Sequence, residues 1–311
     1  MTHAYYETFL NAHQLPCSYI DNALRAYQPL IDDILCRLKS KQPIVLGING
    51  CQGSGKSTCA AFLETTLTKQ HALNVVNISL DDFYLSKASR QQKAKTIHPL
   101  FATRGVPGTH DIVLALKTLR AMINGESPAI SRFDKAIDDL KPKNDWDIAP
   151  KHIDVIILEG WFISARPQAE HTLIEPINQL ESKEDTQGIW RRHVNEQLKG
   201  DYQILFSFID CLVMLKAPSF DTVFQWRLEQ ETKLAKKLQT TLQASSSNTG
   251  LMNETEIKRF VAFFQRLTQS MLEEMPERAD HCYVLNTERQ IIHEQHKHTD
   301  KTNSGADIHR P

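Results

Sequence analysis

The chain lacks an excess of charge of either sign. It has 36 lysine and arginine residues against 37 aspartate and glutamate, a net charge of −1. A nucleic-acid binder carries a basic excess, so this balance speaks against that role. Its six cysteines, Cys17, Cys36, Cys51, Cys59, Cys211 and Cys282, contain no C-x-x-C pair. Cysteines scattered in this way argue against a disulfide or zinc framework and are expected to be reduced thiols. Long apolar runs are missing too, none approaching the roughly 20 residues that span a bilayer. The N-terminus shows no basic segment followed by an apolar stretch, so a secretory signal is not expected there. These absences lead to the expectation of a cytoplasmic protein with neither a membrane nor a nucleic-acid partner; they do not address oligomeric state.

What is present is an alternation of strands and helices. Apolar residues make up 41% of the 311, enough for one large α/β domain or one domain with a modest appendage. Leu24, Tyr27, Leu30, Ile31, Ile34, Leu35 and Leu38 recur at helical spacing, so residues 4–40 read as helical. Pro29 is a candidate kink or break there, and Ser18 with Asp21 a candidate cap. Short apolar, β-branched runs predict five strands, at 44–48, 75–80, 153–158, 211–215 and 282–285. Helical patterns are expected at 56–68, 111–124, 220–238 and 254–275, with loops over 85–110, 125–150 and 164–200 and a flexible linker over 244–250. Together they predict an α/β fold with a mostly parallel five-stranded sheet flanked by helices, its ligand loops at the carboxyl ends of the strands. The expected division is a helical N-terminal region over 1–42 packing on the core, a main domain over 43–289 with a lid near 220–250, and a polar, disordered tail over 290–311. For His293, His296 and His298 in that tail, solvation is a simpler expectation than metal binding.

Gly50-Cys51-Gln52-Gly53-Ser54-Gly55-Lys56-Ser57, followed by Thr58, fits G-x-x-x-x-G-K-[ST] at every fixed position. Glycines let the backbone turn so that successive N–H groups face phosphate oxygens, and the following helix adds its positive end. Lys56 would place an ammonium on the β- and γ-phosphates, and Ser57 a hydroxyl on Mg²⁺. A buried strand precedes the motif and a helical pattern follows it, the context the mechanism requires. ATP with Mg²⁺ is the expected ligand.

Two further carboxylates fall at strand ends. Asp81 and Asp82 follow the second strand; a kinase needs a carboxylate there to accept the acceptor hydroxyl's proton and order water around Mg²⁺, and a simple turn is the alternative. Asp81 is the preferred candidate. Glu159 follows the third strand at a position suited to a metal or water ligand. The loop Arg104–Asp111 holds two glycines and a proline; Arg104 and His110 suit an anionic substrate, and Asp111 suits a helix cap. Asp134 and Lys135 lie in a charged loop that is either solvated or turned toward the acceptor. Arg227 suits a lid arginine clamping a phosphoryl group, or an i,i+4 pair with Glu231. A GTPase switch is disfavoured: there is no NKxD, and the DxxG at Asp185–Gly188 follows a polar stretch.

These segments together resemble the D-glycerate 3-kinase family, within the P-loop group of uridine kinases, phosphoribulokinases and type I pantothenate kinases. The resemblance rests on GINGCQGSGKST (47–58), SLDDFYL (79–85), RGVPGTHD (104–111), FDKAIDD (133–139), LEGWFIS (158–164) and FQWRLEQE (224–231), and covers roughly residues 40–288. It implies a P-loop NTPase fold and ATP-dependent phosphorylation of a small molecule, D-glycerate. By the same resemblance Asp81 matches the catalytic carboxylate, Glu159 the metal-linked acid, Arg227 the lid arginine and RGVPGTHD the acceptor region. Leu140 departs from it, standing where the family pattern implies arginine.

Overall fold

A computed structural model describes residues 4–241 and 253–297 of the chain. Ten strands occur among them: β1 (Ile44–Gly50), β2 (Val75–Ser79), β3 (Ala129–Ile130), β4 (Phe133–Asp134), β5 (Asp139–Leu140), β6 (Asp147–Ile148), β7 (Val155–Gly160), β8 (Cys211–Lys216), β9 (His281–Leu285) and β10 (Ile291–His296). The helices are α1 (Ala4–His13), α2 (Ser18–Arg37), α3 (Lys56–His71), α4 (Lys87–Thr96), α5 (Ile112–Ile123), α6 (Gln179–Glu184), α7 (Ile189–Lys199), α8 (Asp201–Phe206), α9 (Phe220–Thr241) and α10 (Glu254–Glu274).

The main sheet has six strands in the order β10-β9-β8-β1-β7-β2. β1 pairs in parallel with both β7 and β8, β2 with β7, and β9 with β8. The expected five parallel strands are all present. The sixth, β10, corrects the expectation of a disordered tail from residue 290: it pairs antiparallel with β9. Its alternation is mostly polar because it is an edge strand, with Glu294 exposed and Ile292 64% exposed, so no apolar run marks it. Residues 298–311 and the expected linker at 244–250 lie outside the described residues.

Both sheet faces are covered, which is why β1 and β7 read as unbroken apolar runs rather than as alternating ones. Side-chain alternation still sorts them. Leu46, Ile48, Val155 and Ile157 face a core shared with α1, α2, α3 and α9, whereas Val45, Ile156 and Leu158 face one shared with α5, α7 and α8. On the first face Phe62 of α3 collects the rings of Tyr6, Phe9, Tyr19 and Tyr27, with centroids 5.8 to 6.1 Å away. The hydroxyl of Tyr6 also bonds Thr66 Oγ1 at 2.9 Å.

Three local expectations change. α2 runs through Pro29 as one helix of 20 residues, and its first residue is Ser18, so Ser18 does not cap it; the preceding Cys17 makes no side-chain cap. The stretch 164–200, expected as loop, holds α6 and α7: Trp190, Val194 and Leu198 turn one face of α7 to the core, and buried polar anchors fix its start. Asp185 accepts from the backbone N–H groups of Trp190 and Arg191 at 2.8 and 3.1 Å and pairs with the Arg191 guanidinium at 2.9 Å, both residues being buried. Asp111 does cap its helix, accepting from Leu114 N at 3.0 Å.

Because Phe62 is fully buried and joins four rings, Phe62→Ala should destabilise the protein by about 3–5 kcal/mol, measured by urea unfolding. A change below about 1 kcal/mol would show that α1 and α2 are not held through this residue.

Candidate active site

Register brings the site together. Ile48 on β1 and Ser79 on β2 both align with Glu159 of β7, so the loop after β1, the turn after β2 and Glu159 end at one level of the sheet. The loop after β1 is glycine-built for steric reasons. A Cβ on Gly50 would meet Ser54 Oγ at 2.5 Å, and one on Gly53 would meet Trp226 Cβ at 2.7 Å. Gly53 and Gly55 have φ of 80° and 89°, a region other residues rarely adopt. Gly55 is also the N-cap of α3 and offers no side-chain cap to the N–H groups of its first turn. Those groups and the helix dipole make an anion site at Gly50–Thr58. Ser54 and Cys51 are buried, and burial pushes the Cys51 thiol up to about 12 despite nearby Lys56, so it remains protonated.

Ser57 donates its hydroxyl to Glu159 Oε1 at 3.0 Å, and Lys56 Nζ stands 4.0 Å from Oε2. That Oε2 is buried and accepts no hydrogen bond among the described residues. A hydroxyl and an underused carboxylate oxygen beside a phosphate loop form a hard, oxygen-only donor set, which fits Mg²⁺.

Asp81 sits in a short 3₁₀ turn after β2. Tyr84 donates its hydroxyl to Oδ1 at 2.9 Å, and Lys135 Nζ donates to Oδ2 at 2.7 Å. Burial alone would raise its pKa, but the charges of Lys135 and Lys56 and these hydrogen bonds hold it at about 2. Asp82 is occupied otherwise: Arg132 Nη1 bonds Oδ2 at 2.7 Å and the Phe133 N–H bonds Oδ1 at 3.3 Å. Of the two aspartates, therefore, Asp81 faces the phosphate-loop lysine and Asp82 ties down the β4–β5 hairpin.

The residues expected to meet an acceptor separate. His110 is 5% exposed and stacks on Tyr84 with centroids 4.5 Å apart. Its Nδ1 meets the Tyr202 hydroxyl at 2.9 Å, and that hydroxyl also accepts from Gly108 N at 3.0 Å. Buried Nε2 has no hydrogen-bond partner among the described residues. Burial lowers its pKa to about 3, against the pull of Asp81. Arg104 is turned to Asp138 through Nη1, its guanidinium 5.4 Å from the Phe133 ring centroid. Asp134 closes the hairpin turn by accepting from Ala136 N at 2.8 Å. Arg227 lies on α9 with its guanidinium 5.2 Å from the Phe260 ring centroid; the Glu231 side chain lies outside the described residues. The fold therefore gathers Lys56, Ser57, Asp81, Lys135 and Glu159 around one phosphate loop, and puts Arg104 and Asp134 in internal contacts.

Several contributors escaped the sequence reading. Tyr84 and Tyr202 are aromatic residues in apolar surroundings, where core packing is the default. Arg289 donates from Nε to the Gly53 carbonyl at 2.7 Å, pairs with Glu229 at 2.9 Å and lies over the Trp226 ring at 5.0 Å. Arg289, Glu229 and Trp226 line a cleft of about 450 Å³, with Asp221, Gln225 and Thr287. No local motif announces a side chain 236 positions from its partner.

A parallel sheet with this loop after its central strand, and carboxylates at the neighbouring strand ends, defines a P-loop kinase fold. The solved D-glycerate 3-kinase of Cryptococcus neoformans var. grubii has the same fold: TM-score 0.67 and 22% identity over 86% of this chain and 98% of that one. The kinase mug58 of Schizosaccharomyces pombe is 36% identical over 225 residues, 67% of this chain and 79% of that protein. The chain belongs to the family of that kinase. A pantothenate kinase of Streptococcus gordonii is 25% identical over 162 residues, half of this chain and 51% of the other. No protein-family model matches the chain. No helix among the described residues is long and apolar enough to cross a membrane.

A buried neutral histidine gives a sign-definite prediction. The unfolded chain takes up a proton near pH 6.5 and folded His110 only near 3, so His110's contribution to stability is intact above pH 6.5 and lost as pH falls toward 3. His110→Gln should flatten the pH dependence of unfolding free energy over pH 6 to 4 by up to about 1.4 kcal/mol per pH unit. Identical slopes for the two proteins would show that His110 is protonated in the folded state.

Proposed function

We propose that this protein transfers the γ-phosphoryl group of ATP to a hydroxyl of a small anionic acceptor, D-glycerate, giving 3-phosphoglycerate. The observation that carries this is a carboxylate, Asp81, that accepts from the exposed Lys135 at 2.7 Å and whose pKa the nearby charges of Lys135 and the phosphate-loop lysine Lys56 hold down. Gly50–Thr58 bind the triphosphate, and Lys56 stabilises charge on its outer phosphates. The cleft lined by Trp226 and Arg289 takes the nucleotide base, a flat group set against their stacked indole and guanidinium. Ser57 and Glu159, with Asp81 through water, would hold Mg²⁺, which neutralises charge on the β- and γ-oxygens during transfer.

Asp81 orients the acceptor hydroxyl and takes its proton as the new O–P bond forms. A carboxylate held near pKa 2 is a weak base, so orientation is its larger contribution. Lys135 has a side chain 62% exposed, long enough to leave Asp81 for an acceptor carboxylate. His110 offers a neutral imidazole from a dry, aromatic wall, and Arg227 on α9 closes over the transferring group. In this reading Arg104 holds the β4–β5 hairpin through Asp138 and meets the acceptor carboxylate only if that pair opens. Asp134 shapes the hairpin turn that presents Lys135. A cytoplasmic protein acting on a small solute fits this chemistry.

A second reading, a kinase for another small hydroxy compound, is favoured by the similarity to a pantothenate kinase. ADP release from ATP with D-glycerate, pantothenate and uridine separates the two. The first reading expects turnover with D-glycerate at least tenfold above the others; turnover with pantothenate or uridine alone would overturn it. Asp81→Asn should lower turnover by about 10²- to 10⁴-fold while ATP binding, followed by calorimetry, is kept. Unchanged turnover would remove Asp81 from the chemistry and leave an ATP-binding protein.

A further inference from the structure

At the opposite end of the sheet from the phosphate loop, three ligand-type atoms converge without an apparent use. Asp33 comes from α2, Cys211 is the first residue of β8 and His281 the first residue of β9. Asp33 Oδ2 stands 3.0 Å from His281 Nε2 and 3.8 Å from Cys211 Sγ, and all three atoms lie within 4.8 Å of one another. Ligands around a tetrahedral zinc are separated by about 3.3–3.6 Å, given bonds of about 2.0 Å to N and O and 2.3 Å to S. Cys211 and His281 are buried, 0% and 3% exposed.

The hydrogen bonds around the cluster admit a cation in one arrangement of protons. His281 Nδ1 lies 2.8 Å from His296 Nδ1, so one ring donates to the other, and His296 Nε2 lies 3.4 Å from the Glu294 carboxylate. With the shared proton on His281 Nδ1 and none on Nε2, the Nε2 lone pair faces Asp33 Oδ2, and a metal ion takes the place that a proton fills in a His281–Asp33 ion pair. Asp33 Oδ2 also accepts from Arg37 Nε at 3.0 Å. Beside the thiol two carboxylates, Asp33 and Asp280, share the Arg37 guanidinium at 3.0 and 3.3 Å.

We propose that Asp33, Cys211 and His281 form a binding site for a zinc-class divalent cation, with solvent as the fourth ligand. On binding, the Cys211 thiol releases its proton to solvent as the sulfur–metal bond forms. Asp33 Oδ2 and His281 Nε2 give lone pairs, and His281 keeps its proton on Nδ1, held by His296. The mixed N, O and S donors suit Zn²⁺ or Co²⁺ over Mg²⁺. The cation fastens α2 to the amino ends of β8 and β9, and His296 is a positioning residue that fixes the ring of His281.

The test uses the full-length, metal-stripped protein titrated with Co²⁺. One equivalent should produce visible ligand-field bands of a tetrahedral site and a near-ultraviolet thiolate-to-cobalt band, both bleached by Zn²⁺. Cys211→Ser should lose the near-ultraviolet band, and His296→Ala should weaken Co²⁺ affinity about 10- to 100-fold while keeping that band. Zn²⁺ should raise the melting temperature of the wild type and not that of Cys211→Ser. Absence of the thiolate band in the wild type, which needs no variant to fold, would overturn the proposal and assign a proton to the space between Asp33 and His281. A band surviving in Cys211→Ser would equally overturn it.

Discussion

The bond from the Ser57 hydroxyl to Glu159 couples the two halves of the candidate site, and the rest of the geometry is arranged around it. Ser57 belongs to the first turn of α3 and Glu159 to the end of β7, so the contact exists only because β1 and β7 are paired in register. Parallel pairing fixes the height of each strand end, and the glycine backbone after β1 lets α3 start beside the strand rather than beyond it. A side chain at Gly53 would collide with Trp226, which joins the loop to α9 as well. The phosphate loop, Glu159 and α9 therefore share one mechanical frame.

Electrostatics then divides the work between two adjacent carboxylates. Asp82 is spent on Arg132 and the Phe133 N–H, which hold the β4–β5 hairpin down. That hairpin in turn carries Lys135 to Asp81. Partly buried Asp81 stays charged because two lysines outweigh its loss of hydration. One aspartate builds the arm, and the other receives the charge at its tip. His110 shows the reverse balance: burial in its aromatic wall outweighs the pull of Asp81, and it stays neutral.

The parallel sheet, α3 and the phosphate loop were legible in the sequence because local pattern and global fold agree there: β-branched runs, a glycine cluster and a helical pattern occur in order. Glu159 and Asp81 were legible as charges ending apolar strands. What stayed hidden depends on contacts distant in sequence. Arg289 on the Gly53 carbonyl, Tyr202 on His110 and Cys211 beside His281 are each unremarkable in their own segments. β10 was missed because an edge strand has no apolar period to show, and α7 because its sparse apolar face, Trp190, Val194 and Leu198, lies among charged residues. The roles expected of Arg104 and Asp134 rested on charge in a loop, and a loop charge finds the nearest partner, here Asp138 and the Ala136 N–H.

The most direct measurement of phosphoryl transfer is ³¹P NMR of the purified protein with ATP, Mg²⁺ and D-glycerate. Transfer to the acceptor predicts loss of the γ-phosphate signal with matching growth of a phosphomonoester resonance assigned to 3-phosphoglycerate. An unchanged ATP spectrum, or growth of inorganic phosphate alone, would contradict it.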